Sequence, residues 1–139
     1  MGETKGIEKL SYYATSIGLI YLIIGMLSGF YLVYILVRKG AIPGTIISAH
    51  SHFLCMSMLI LIVGLGMKNW AREIAEKKIS FSGGRLTAAR ISLALLALGA
   101  IMAFVFFSVK AQLLGLIGDI IYFIGFLMVS IGWITGGKT

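Results

Sequence analysis

Charge is what this chain of 139 residues lacks most: only 12% of it is Asp, Glu, Lys or Arg. A water-soluble domain is typically about a quarter charged, so this supply cannot dress a water-facing surface. Acidic side chains number 5 against 12 basic ones. Cysteine occurs once, at Cys55, which excludes an intrachain disulfide and any Cys-x-x-Cys metal or redox motif. Histidine occurs only at His50 and His52, and proline only at Pro43.

What is present is hydrocarbon: 59% of the residues are hydrophobic and the mean hydropathy is +1.01. The apolar runs reach about 20 residues and do not alternate with polar positions, so they read as membrane-crossing helices rather than barrel strands. In a bilayer only helices or a closed barrel satisfy every backbone group. The expected fold is therefore all-α, one transmembrane four-helix domain. A net charge of +7 would suggest nucleic acid in a soluble chain. Here the cations cluster in loops, which is a topology signal with membrane lipid as the partner.

Residues 1–9 read as a short polar tail, and spanning helices are expected at about 11–37, 42–67, 86–109 and 113–134. No cleavable signal is expected, because the first apolar run is longer than a signal core and no small-residue cleavage site follows. Pro43 suits the start of the second helix, where its missing N–H is no loss. A short amphipathic surface helix is expected over 69–78, with Trp70 and Ile74 toward lipid. Gly18, Gly25 and Gly29 form a small-residue stripe that lets another helix or a flat cofactor approach. Short connections make successive helices antiparallel, an up-down-up-down bundle. With the N-terminus inside, Lys5, Lys9, Lys68, Arg72, Lys77, Lys78, Arg85, Arg90 and Lys138 share one side, against Arg38, Lys39 and Lys110. That bias puts both termini in the cytoplasm of a multi-pass cell-membrane protein.

The chemistry concentrates in Ser48-Ala49-His50-Ser51-His52-Phe53-Leu54-Cys55-Met56-Ser57-Met58. Ionisable groups inside a membrane are costly and mark function. His50 lies about 12 Å from the outer end of its helix at 1.5 Å per residue. Asp119, the one acid inside an apolar run, comes at nearly the same depth on the fourth helix. Its neighbours Gly115, Gly118, Tyr122, Gly125 and Val129 follow helical spacing, so it is expected to face the bundle. A carboxylate at that level can orient a ligating imidazole through its second nitrogen. Residues two apart on a helix diverge by about 200°, so His50 and His52 cannot clamp one ion. They can serve two partners on opposite faces. Neutral imidazole is a normal haem-iron ligand.

The run Ala49-His50-Ser51-His52-Phe53-Leu54 with Met56-Ser57-Met58 resembles the histidine-pair helix of subunit I of haem-copper oxidases. There one histidine serves the low-spin haem and the other the haem of the oxygen site. The run is also similar to small membrane proteins that carry a lone helix of this kind. The resemblance implies haem b with His50 and His52 as axial ligands in an electron-transfer protein. It covers one helix of four, and with no further histidine it does not imply a copper centre or oxygen reduction. The remaining axial position then falls to Met26, at a depth comparable to His52, to a second copy in a homo-oligomer, or to nothing. Two other readings stand beside it. One is a non-catalytic subunit of a larger membrane complex. The other is a small His/Asp proton relay or transporter. Cys55 and Met56 follow His52 at helical spacing, but both are common apolar filler and copper is not expected. Tyr31, Tyr34 and Lys39 could border a quinol site, although interfacial anchoring explains them more simply.

Overall fold

A computed structural model describes residues 2–76 and 83–134. Four helices follow one another: α1 (Gly2–Lys39), α2 (Gly44–Ala75), α3 (Gly83–Ser108) and α4 (Gln112–Ile134). No strand occurs among the described residues. All four helices are long and apolar enough to cross a membrane. The hydropathy reading of four spanning helices therefore holds.

Neighbours in sequence are antiparallel neighbours in space. α1 pairs with α2, α3 pairs with α4, and α2 against α3 joins the two hairpins. Glycine sets how close each hairpin lies. A Cβ on Gly64 would come 2.6 Å from the backbone nitrogen of Thr15, and one on Gly118 would come 2.5 Å from that of Ala103. Backbone therefore meets backbone across both seams, as small residues allow in lipid. The stripe at Gly18, Gly25 and Gly29 is used the same way, against Leu61, Leu54 and His50 of α2. Helix packing, not cofactor clearance, occupies it. α1 and α4 form no comparable seam, and α1 touches α3 only lightly. The bundle is open along that edge.

The core runs down one stripe of α2: Ala49, Phe53, Met56, Ile60, Val63, Met67 and Trp70 are all buried. These positions alternate steps of four and three, the spacing of a continuous seam. Phe53 is its centre, stacked on Phe104 at 4.4 Å and tilted on Tyr21 at 5.3 Å between ring centroids. Tyr122 donates from its hydroxyl to the carbonyl of Met56 at 2.8 Å, which ties α4 to α2.

Two helix ends differ from expectation. The polar tail is helical from Gly2, because Ile7, Leu10 and Ala14 are buried and prolong the apolar stripe of α1. α2 does not stop near Met67 but continues to Ala75, so no separate surface helix forms over the described part of 69–78. Trp70 is buried and Ile74 packs on the core, so neither is directed to lipid. The reason is register: Trp70 and Ile74 continue the stripe of Val63 and Met67, and no glycine or proline interrupts 67–75. Residues 77 and 78 and the turn expected at 80–82 lie outside the described residues.

The connections on the opposite end are short and differently made. Gly40 closes α1 with φ +70° and donates its N–H to Leu36. Pro43 caps α2, its carbonyl accepting from the N–H groups of Ile46 and Ile47. α3 ends in a six-residue Schellman pattern, in which Ala111 N–H reaches Phe106 O at 2.8 Å and Lys110 N–H reaches Phe107 O at 3.2 Å. Lys110 holds φ +64° there, a left-handed position that glycine takes without strain.

Candidate functional site: two imidazoles on opposite sides of one helix

α2 carries both histidines near the end where it follows the short α1–α2 connection, and each has a different neighbour. His50 turns toward α1. It is half-buried, and its ring edge at Cε1 and Nε2 lies over Gly29, where a Cβ would come 3.1 Å from Cε1. Its Nδ1 is 2.8 Å from the hydroxyl of Ser28. That hydroxyl has one proton and places it on the carbonyl of Gly25 at 2.7 Å. With that proton on Gly25, Nδ1 of His50 donates to Ser28, and in a neutral ring Nε2 is then the acceptor.

His52 turns the other way, toward α3 and α4. Its Nδ1 lies 2.9 Å from the carbonyl of Ser48, which can only accept. His52 thus donates from Nδ1, and in a neutral ring Nε2 is the acceptor. Its ring sits at the bundle surface, 5.6 Å from the ring of Phe107 between centroids. Both rings are thus held at Nδ1, by two different partners. A hydrogen bond from one ring nitrogen that directs the other outward is the usual way a protein aims a ligating histidine.

Asp119 lies on α4 within electrostatic range of His52. No hydrogen bond joins them, and Asp119 Oδ1 is a buried oxygen with no partner among the described residues. Thr45 Oγ1, in the first turn of α2, is another such orphan among the described residues. An unsatisfied buried carboxylate oxygen costs about 1–3 kcal/mol or more, so Asp119 stands beside His52 with acceptor capacity unused.

Not every residue singled out from sequence joins this group. Met26 is exposed on α1, one helical step of about 100° past the buried Gly25. It points away from α2, while His52 faces the opposite flank of that helix, so the two are not brought together. The set His52, Cys55 and Met56 is not assembled either: Met56 is in the core and Cys55 is exposed. No group of three or more His, Cys, Asp and Glu able to hold a metal ion occurs among the described residues. Tyr31 and Tyr34 stack on each other at 6.4 Å on the exposed side of α1, with Arg38 over Tyr34 at 5.6 Å. That is the posture of an interfacial anchor.

Ser28 and Phe107 are the partners that sequence reasoning missed. Ser28 had a signal: it is a hydroxyl inside an apolar helix, between Gly25 and Gly29 on the packing stripe. Phe107 had none beyond its depth.

The donor chemistry suits haem iron, which needs one or two neutral imidazole nitrogens rather than a cluster. It suits His52 better than His50. His52 presents Nε2 on open ground beside an aromatic ring. At His50 α1 covers the same edge, so a macrocycle reaches it only where α1 yields at Gly29. Comparison with protein-family models, with curated proteins and with solved structures finds no match for this chain.

Proposed function

We propose that this is a haem b-binding electron-transfer protein of the cell membrane, a homo-oligomer in which His50 and His52 are axial ligands from opposite sides of α2. One observation carries the reading: both imidazoles are held through Nδ1, and His52 keeps its Nε2 open at the bundle surface while that of His50 lies under α1 at Gly29. Bound haem would supply one-electron redox chemistry. The chain's own residues do the rest. Ser48 and Ser28 hold the rings at Nδ1, Phe107 gives His52 a flat apolar neighbour, and Asp119 is placed to hold a proton near His52. Because His52 stands at the bundle surface, a second copy can close the site and bring the other axial nitrogen. Quinol or another carrier is the expected electron source.

Purified protein should be red, with an intense near-ultraviolet band that shifts on reduction. A colourless preparation that takes up no added haemin would end this reading.

A second reading rests on Asp119. Its orphaned oxygen and its proximity to His52 also suit a proton relay across the outer half of the membrane. That reading expects pH-driven proton flux in liposomes from a protein without a chromophore, so the same spectrum separates the two.

A further inference from the structure

A wide concavity lies far from the histidines, between the first turns of α1 and the last turns of α2. It encloses about 740 Å³ and is open to the side, within the size range of small-molecule sites, roughly 300–1,000 Å³. Its chemistry changes along its length. At the end nearer the bundle centre it is lined by Leu65, with the exposed ring of Tyr12 beside it. One and two helical turns further along α2 come Lys68 and Arg72, and Glu8 faces them from α1.

These three charges are not spent on one another. No ion pair involves Lys68, Arg72 or Glu8 among the described residues, although all three line one groove. Arg72 is instead held by a neutral partner: its Nη2 donates to Asn69 Oδ1 at 2.9 Å, and Asn69 Nδ2 donates to Glu73 Oε1 at 3.1 Å. Asn69 thereby fixes the guanidinium on the groove wall while leaving its other donors open. A groove that is apolar toward the hydrocarbon, doubly cationic one turn further out and carboxylate-bearing on the opposite wall matches one amphiphile. The acyl chain lies along Leu65 and Tyr12, the phosphodiester meets Lys68 and Arg72, and a primary ammonium reaches Glu8. Charge-assisted hydrogen bonds to phosphate are among the stronger polar contacts.

We propose that the groove between α1 and α2 is a binding site for a phospholipid with a primary-amine headgroup. The position supports it, because four membrane-spanning helices place this end of the bundle at the headgroup level of one leaflet. The site is separate from the imidazoles and does not depend on what they bind.

The test is native mass spectrometry of delipidated full-length protein in detergent, titrated with four lipids of matched acyl chains. These are phosphatidylethanolamine, phosphatidylcholine, phosphatidylglycerol and diacylglycerol. The expected order puts phosphatidylethanolamine first and diacylglycerol last, and the double variant Lys68→Ala/Arg72→Ala loses about tenfold or more in affinity for phosphatidylethanolamine. Glu8→Gln should erase the preference for ethanolamine over choline, whose quaternary ammonium has no N–H to give, and leave phosphatidylglycerol binding as strong or stronger. Arg72→Lys serves where the double variant fails to fold, keeping the charge but losing the fork that Asn69 holds. It should weaken phosphatidylethanolamine binding measurably. Lys110→Ala, at the other end of the bundle, should change nothing. Diacylglycerol binding as well as phosphatidylethanolamine, phosphatidylglycerol binding more tightly than it, or variants at Lys68 and Arg72 that retain full affinity would each overturn the proposal.

Discussion

His50 and His52 are separated by one residue and live in different settings. His50 is covered by α1, with Ser28 on its Nδ1 and the bare backbone of Gly29 under its far edge. His52 stands at the bundle surface, bonded only to its own helix, with Phe107 and Asp119 across from it. The turn of about 200° between them is a property of the helix; the difference in cover is a property of the bundle. α1 packs so closely on α2 that only an imidazole fits at Gly29, whereas the α3–α4 hairpin leaves the other flank open. The same dipeptide spacing thus gives one buried and one available nitrogen donor. Two equivalent ligands would be the expectation from the sequence alone, and the packing makes them unequal.

The inequality can be broken at several points. The largest effect is expected from His52→Ala, which should lower haemin affinity by about a hundredfold or more, while His50→Ala lowers it about tenfold or less. Absorbance titration of purified variants reads both. Asp119→Asn should change haemin affinity by less than about tenfold, because Ser48 rather than the carboxylate holds the second nitrogen of His52. The same titration checks it, with His50→Ala/Asp119→Asn showing whether the two act on different flanks.

Packing substitutions come next. Gly118→Ala places a methyl 2.5 Å from the backbone nitrogen of Ala103, and such overpacking should destabilise the bundle by about 1–3 kcal/mol. Gly29→Ala meets only the His50 ring at 3.1 Å. It should leave the unfolding midpoint in detergent nearly unchanged while displacing His50 from Ser28. A histidine NMR tautomer measurement would then show His50 altered and His52 unaffected. Ser28→Ala removes the same hydrogen bond directly and should cost about 0.5–1.5 kcal/mol. One further change lies outside the comparison of flanks. Lys110→Gly relieves a left-handed residue at the end of α3 and should stabilise the protein by about 1 kcal/mol, read as a slightly higher melting temperature.

Much of this was legible beforehand, and for physical reasons. Long apolar runs in a chain poor in charge leave helices as the economical solution, and short connections force antiparallel order. The divergence of His50 and His52 follows from helix geometry, and the shared depth of Asp119 follows from counting along α4 from the same side. Other features required the packing itself. Residues 2–10 look like a polar tail because Glu3, Lys5, Glu8 and Lys9 dominate them. Ile7 and Leu10 nonetheless sit on the buried stripe of α1 and carry the helix through. Trp70 reads as an interfacial anchor by composition and is buried by register. Met26 has the right depth and the wrong azimuth, which depth counting cannot detect. The cover over His50 depends on how close α1 approaches, and that distance is set jointly by Gly18, Gly29 and Gly64 on two helices.

The proposed haem site stands or falls on the uncovered imidazole of His52. Its most direct measurement is the visible spectrum of the purified wild type and of His52→Ala, each after incubation with haemin and again after reduction. The wild type should show a sharp near-ultraviolet band that shifts on reduction, and His52→Ala should lose it almost completely. A wild type that binds no haemin, or a His52→Ala variant whose spectrum matches the wild type, would contradict it.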